Sequence, residues 1–350
     1  MKTVNIIAGL CLFSSLAFAG PDVWEIQKRN VPLPAGASEQ LRQSIAARAQ
    51  PNPEARRSTF NNIKDFNWAT FIKDNEFNRG GAAVSLARSL GVSIDKHKIE
   101  GVTVYHVDPE IVNPKFAKSM FLFLHGGAYI FGGGDASVYE AIVIAHHTGM
   151  RILAVDYRMP PDHPFPAAID DVVTVYRHLL GEGKESARLA IGGTSSGGGL
   201  ALASVHKFRI LDLPLPGAVY VGTPWADLSK TGDTQFTNEG LDRALVTYDG
   251  LLIAAAKLYA DGLDLKHPLL SPVYGDFSGF PPTYLVTGTR DMFLSDTART
   301  HRKLRVAGVE AELNVYEGMS HAGYITSLDT PESTQVYSEL QAFLLQYLGE

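Results

Sequence analysis

Between Leu189 and Gly199 an apolar run gives way to small residues and two hydroxyls, Leu-Ala-Ile-Gly-Gly-Thr-Ser-Ser-Gly-Gly-Gly, and this pattern constrains the chain more than any other. It predicts a strand, a sharp turn and a helix. Within it Gly193-Thr-Ser-Ser-Gly197 fits G-x-S-x-G, in which the central serine sits on a strained elbow at a strand end, its hydroxyl pushed into a cleft. Glycines on either side let other backbone pass close. Because glycine and serine collect in loops, the pentapeptide gains meaning only if the chain also supplies a base, an acid and oxyanion donors.

The sequence after about residue 100 alternates. Val102 to Val107, Ser119 to Leu124, Arg151 to Tyr157, Gly217 to Val221, Thr283 to Thr287 and Ala311 to Tyr316 read as strands. Helices are expected at Ser137 to His147, Ala167 to Leu180, Ser196 to Ile210, Thr247 to Tyr259 and Ser295 to Val306. The last helix carries its own start signal, with Thr330 as N-cap, Pro331 at the first helical position and Val336, Leu340, Phe343, Leu344 and Tyr347 on an apolar face. Such alternation predicts an α/β architecture: a mostly parallel central sheet with helices on both faces. Ligand sites in these sheets form beyond the carboxyl ends of strands, so the loops after Leu124, Tyr157, Ile191, Thr287 and Tyr316 should gather on one edge.

Residues 20–100 read as a helical arm interrupted by Pro32, Pro34, Pro51 and Pro53, with Phe60, Phe66, Trp68, Phe71 and Phe77 as its apolar supply. The arm either packs on the main domain, residues 101–350, or contributes a cap over its cleft. Residues 1–19 have the three parts of a secretory signal: Lys2, an apolar core from Val4 to Phe18, and Ala17-Phe-Ala19 before Gly20. The core, about 15 residues, falls short of the ~20 that span a bilayer. The expectation is cleavage after Ala19, a periplasmic or secreted mature chain and no stable membrane anchor. Cys11, the only cysteine, would leave with the signal, which removes disulfides, a cysteine nucleophile and cysteine-based metal sites. Lys and Arg number 31 against 37 Asp and Glu, a formal charge of −6 without a long like-charge block, which argues against a nucleic-acid partner.

Directly after Leu124 comes His125-Gly-Gly-Ala-Tyr129, which resembles the H-G-G-G loop whose backbone N–H groups meet a developing oxyanion. His125 itself reads as a buried hydrogen-bonding residue that holds the loop. A serine hydroxyl needs a base to take its proton, and the base needs an acid to fix its tautomer. In the order serine, acid, histidine, Asp291 follows the strand ending Val286-Thr-Gly288, and His321 follows the strand ending Val315-Tyr-Glu317. Asp296, expected in the first turn of a helix, has a simple electrostatic reason to be there. His146, His147, His163, His206, His267 and His301 have no strand-end position.

Taken together, His125-Gly-Gly, Asp156-Tyr-Arg158 with the proline-rich tract to Asp171, Gly193-Thr-Ser-Ser-Gly197, Asp291 and His321 resemble the hormone-sensitive-lipase family of α/β-hydrolases, also called bacterial esterase family IV. The resemblance covers about residue 100 to the C-terminus. It implies Ser195 as nucleophile, Asp291 as acid and His321 as base, with the N–H groups of Gly127, Ala128 and Ser196 as oxyanion hole, and a helical cap that is partly N-terminal. No metal and no organic cofactor is expected, because H-E-x-x-H, a P-loop and a G-x-G-x-x-G in Rossmann context are all absent. Ala128 replaces the third glycine of the oxyanion motif, so its backbone angle must suit a Cβ. Thr194 stands where many members carry Asp, which resembles a G-T-S-A-G subgroup some of whose members form homodimers. The implied activity is hydrolysis of short-to-medium-chain carboxylic esters, or of lactones, through an acyl-enzyme. A catalytically silent small-molecule binding protein and an amidase or peptidase remain as alternatives. Tyr129, Phe131, Trp225 and Met292, together with Ile130 and Tyr324, flank the motifs and are candidates for an apolar substrate pocket or for core packing.

Overall fold

Met120-Phe-Leu-Phe-Leu124 has no polar face, and such a run is stable as a strand only where both sides of the sheet are covered. In the computed structural model it is the third of eight strands: β1 (Val92–Ile99), β2 (Val102–Pro109), β3 (Met120–Leu124), β4 (Ile152–Asp156), β5 (Leu189–Thr194), β6 (Ala218–Gly222), β7 (Thr283–Gly288) and β8 (Ala311–Tyr316). They form one sheet in the order β1-β2-β4-β3-β5-β6-β7-β8. The pairings of β2 with β1 and β4 are antiparallel, and every pairing from β4 to β8 is parallel. The structure describes residues 30–58, 60, 66–75 and 79–350. The expected signal, Met1 to Ala19, and Phe77 of the arm lie outside these residues.

The helices among the described residues are α1 (Glu39–Ala47), α2 (Pro53–Ser58), α3 (Trp68–Asn75), α4 (Arg79–Leu90), α5 (Tyr139–Thr148), α6 (Ala167–Gly181), α7 (Ser196–Ile210), α8 (Thr234–Thr237), α9 (Leu251–Ala260), α10 (Leu294–Val306), α11 (Gly323–Thr326) and α12 (Pro331–Leu348). Strand alternation splits the core into two layers. Leu122, Leu124, Val155 and Ile191 join Val172 of α6 and Leu200 of α7 in one buried cluster, while Phe121, Phe123, Ala154 and Ala190 join Ile142 of α5 and Leu340 of α12 in the other. Each such Val, Leu, Ile or Phe side chain stabilises the fold by roughly 1.5–3 kcal/mol. Thr330 caps α12 as its sequence suggests, accepting the Ser333 N–H. No helix among the described residues is long and apolar enough to cross a membrane.

The arm departs from a purely helical reading. Its helices end at Leu90, and Val92–Ile99 form β1, so the sheet begins nine residues or so before the expected boundary at residue 101. As an edge strand with Ser93, Asp95, Lys96, His97 and Lys98 exposed, β1 lacks the apolar alternation that marks the others. The helical part is tied down at its start: Ser38 bonds the Glu332 carboxylate through both N–H and hydroxyl at 2.7 Å. Further on, the rings of Phe60, Phe66, Trp68 and Phe71 pack on one another, and Phe71 meets Phe131 at 6.1 Å between centroids.

Candidate active site

Ser195 joins β5 to α7 with φ 62° and ψ −124°, a left-handed angle disfavoured for a residue with a Cβ. The surroundings hold it there. Its N–H donates to Gly222 O at 2.8 Å, and its carbonyl accepts the N–H groups of Gly199 and Trp225 at 3.0 and 2.9 Å. A Cβ on Gly193 or on Gly197 would come within 2.0 Å of Leu124 O, so only glycine lets the end of β3 lie against the elbow. The Ser196 N–H is at the first turn of α7, where the helix dipole is positive.

The loop after β3 runs beside this elbow. Gly127 has φ 126°, and a Cβ there would be 2.1 Å from Phe131 O. Ala128 and Tyr129 both take left-handed angles, φ 55° and 63°, so the third motif position does accept a Cβ, at a strain of about 1 kcal/mol or more. Packing sets that strain. The Tyr129 ring stacks on Tyr259 at 3.9 Å and lies against Trp225 at 6.0 Å. His125 is buried, stacks on Tyr157 at 4.1 Å and bonds Gly126 O through Nδ1, while Tyr157 donates to His125 O. Burial lowers its imidazole. It holds the loop and the Tyr157 strand end together, as its sequence position suggests.

Asp291 and His321 follow β7 and β8. His321 Nδ1 and Asp291 Oδ1 are 3.0 Å apart, both side chains are buried, and Asp291 also accepts the Thr287 hydroxyl and the Phe293 N–H. Burial alone would lower the His321 imidazole, but the Asp291 charge and hydrogen bond, followed by the charge of Asp242, raise it above its ordinary value. A cavity of about 240 Å³ opens onto Ser195, His321, Gly126, Gly127 and Ala128 together. It therefore brings a strained hydroxyl, an acid-linked imidazole and backbone donors to one small apolar space, the inventory of nucleophilic acyl transfer.

Residues 121–325 match the family described as alpha/beta hydrolase fold. A crystal structure of an esterase from the bacterial hormone-sensitive lipase family superposes with a TM-score of 0.72 at 28% identity, over 89% of this chain and 99% of that one. The chain belongs to this hormone-sensitive-lipase family of α/β-hydrolases. Esterase E25 is still more similar to the hydrolase, with a TM-score of 0.89 and 47% identity over 93% of this chain and 99% of that one. An acetyl-hydrolase of Streptomyces hygroscopicus is 34% identical over 71% of this chain and 83% of its own length. The activity is accordingly that of an esterase of the α/β-hydrolase family.

Of the pocket residues expected from sequence, the cavity of the hydrolase takes one. Phe131 lines it, but Tyr129, Trp225 and Met292 do not, each 1% exposed or less within the core. The reason is physical: a motif's neighbours on a strand end or loop alternate between cleft and core, and these large side chains point to the core. Ile130 and Tyr324 are likewise buried outside the cavity wall. Asp296 accepts the N–H groups of Ala226 and Asp227 from within the core, and Arg158 pairs with Asp171, so both are structural. Sequence reading missed the loop after β6, which supplies Ala244 and Leu245 to the cavity and carries Asp242 behind His321, and the start of α9, which supplies Leu251 and Leu252. It also missed Glu140, whose signal was an acid in the otherwise apolar start of α5.

Proposed function

We propose that the enzyme is a serine carboxylesterase that hydrolyses short-to-medium-chain esters through an acyl-enzyme. The observation that carries this is the shared cavity of Ser195 and His321, with His321 bonded to buried Asp291. His321 takes the Ser195 proton as Oγ attacks the ester carbonyl, and the oxyanion is met by the N–H groups of Gly127, Ala128 and Ser196. Collapse breaks the bond to the leaving oxygen, which receives the proton from His321. Water, activated by the same imidazole, then adds to the acyl-serine, and the acid leaves as Oγ is reprotonated. Asp291, bonded to Nδ1, fixes the orientation of the ring and steadies the imidazolium.

The cavity volume lies below the roughly 300 Å³ at which drug-sized ligand sites begin, which favours small acyl groups, small lactones included. Export after cleavage at Ala19 and a homodimer belong to the same reading, and the mass of the secreted chain and its elution on size exclusion test them. For the chemistry, Ser195→Ala should abolish turnover of p-nitrophenyl butanoate, and a fluorophosphonate should label Ser195 alone. Full activity in the purified variant would sink the assignment. A site that neither reacts with the probe nor turns over ester would point instead to a silent binding protein.

A further inference from the structure

Glu140 is the second residue of α5 and only 6% exposed, followed by the buried apolar run Ala141 to Ala145. Its Oε1 accepts the hydroxyls of Thr194 at 2.7 Å and Tyr220 at 2.9 Å. The Tyr324 hydroxyl closes the network, 2.7 Å from Thr194 Oγ1 and 3.0 Å from the Tyr220 hydroxyl. Since Thr194 precedes Ser195, the carboxyl is fixed one residue from the elbow. It lines the same cavity as Ser195 and His321. The hydrogen bonds from Thr194 and Tyr220 go to Oε1, which leaves Oε2 to act as an acceptor in a cavity whose walls include the apolar Phe123, Phe131, Leu245 and Leu252 beside the polar Ser137, Thr194 and Thr326. A ligand that displaces water from a carboxyl oxygen in such a pocket binds best when one of its own groups replaces the lost hydrogen bond. A small number of placed polar groups among apolar ones is also how small-ligand sites fix orientation.

We propose that Glu140 is a specificity-determining residue whose Oε2 pairs with a hydroxyl carried by the ester substrate, so that the preferred substrates are hydroxyl-bearing esters. The proposal rests on the esterase reading above. A hydroxyl both donates and accepts, so it pairs with the carboxyl in either protonation state. Burial pushes Glu140 up to about 7, opposed by the Thr194 and Tyr220 bonds. The titratable groups around it, Tyr220, Tyr324 and Tyr337, are held by burial well above the usual tyrosine range and stay neutral. A methyl ether, which only accepts, pairs with the protonated carboxyl alone.

The test compares kcat/KM of the full-length enzyme for methyl 6-hydroxyhexanoate, methyl 6-methoxyhexanoate and methyl heptanoate. A second series places the hydroxyl, methoxy or methyl terminus on the alcohol side of butanoate esters. Both are run at about pH 9, where the carboxyl is ionised, on wild type and Glu140→Gln. The glutamine keeps an oxygen for Thr194 and Tyr220 and turns an N–H toward the cavity. Wild type should favour the hydroxyl ester over its methyl and methoxy isosteres by about tenfold in one series. In Glu140→Gln the methoxy ester should rise to match the hydroxyl ester. A uniform fall for all three esters, or equal wild-type rates for hydroxyl and methyl isosteres in both series, overturns the proposal. Hydrolysis of none of the esters by wild type would overturn the esterase reading with it.

Discussion

The Asp242 carboxylate lies against the backbone of Met292 and takes its N–H on Oδ2 at 2.8 Å. The same oxygen receives the His321 N–H at 3.4 Å, while Oδ1 accepts the N–H groups of Ala244 and Leu245. One buried acid from the loop after β6 thus ties together the two loops that carry Asp291 and His321. Burial, then the Asp291 charge, push Asp242 up to about 6, with His321 pulling the other way.

This arrangement predicts the acid limb of the rate profile. In the proposed mechanism His321 must be neutral to accept a proton, and since the Asp291 and Asp242 charges raise it, the limb in kcat/KM should lie above the ordinary histidine value of about 6.5. Asp242→Asn removes one negative charge and keeps an acceptor oxygen for one of the two pairs of N–H groups. The imidazolium is then less stabilised, and the limb should move to lower pH. Asp242→Ala, which frees both loops, should instead lower kcat on the plateau by about 100-fold. An unmoved limb in the asparagine variant would show that His321 does not sense Asp242.

Much of this site was legible because its chemistry sits at strand ends. Ser195, Asp291 and His321 each follow a strand that the sequence marks, and Gly193 and Gly197 mark a close approach that the structure finds at Leu124 O. Asp242 was not legible, since the segment between β6 and α9 has no periodicity to place it and its bonds go to backbone N–H groups, which leave no trace in side-chain type. Nor was the inward direction of Tyr129, which follows from the left-handed angles at Ala128 and Tyr129 themselves.

The same angles predict how the loop after β3 tolerates change. Gly127→Ala puts a methyl 2.1 Å from Phe131 O and must displace the turn. Loss of one aligned N–H donor corresponds to ~3 kcal/mol, so kcat should fall by about 100-fold with KM changed far less. Ala128→Gly relieves strain at φ 55° but adds unfolded-state entropy, two effects of about 1 kcal/mol that oppose each other. Its melting temperature should therefore stay near wild type, and steady-state kinetics with calorimetry check both variants.

Trp225 separates packing from recognition. It is fully buried, stacked on Phe293 at 5.7 Å and edge-on to Tyr248 at 6.1 Å. Trp225→Leu should destabilise the fold by about 2–4 kcal/mol, read from denaturant unfolding. The ranking of esters by acyl chain length should not change. Leu252→Phe, which fills part of the cavity wall, should do the reverse: shift the ranking toward shorter chains at little loss of stability.

Glu140 gives the fold a pH dependence of its own. In the folded chain its carboxyl is raised to about 7 by burial, against an ordinary value of 4.5 once unfolded. The folded state therefore binds that proton more tightly, and its contribution is complete below pH 4.5 or so and is lost as pH rises through about 7. At about 1.4 kcal/mol per unit, the loss is on the order of 3 kcal/mol. Glu140→Gln carries no ionisable group and retains an oxygen for the Thr194 and Tyr220 hydroxyls. Its thermal midpoint should consequently fall less between about pH 5 and pH 8 than that of wild type, measured by calorimetry in matched buffers. The same slope in both proteins would mean that Glu140 ionises equally readily folded and unfolded, and that the apolar cavity wall does not hold its proton.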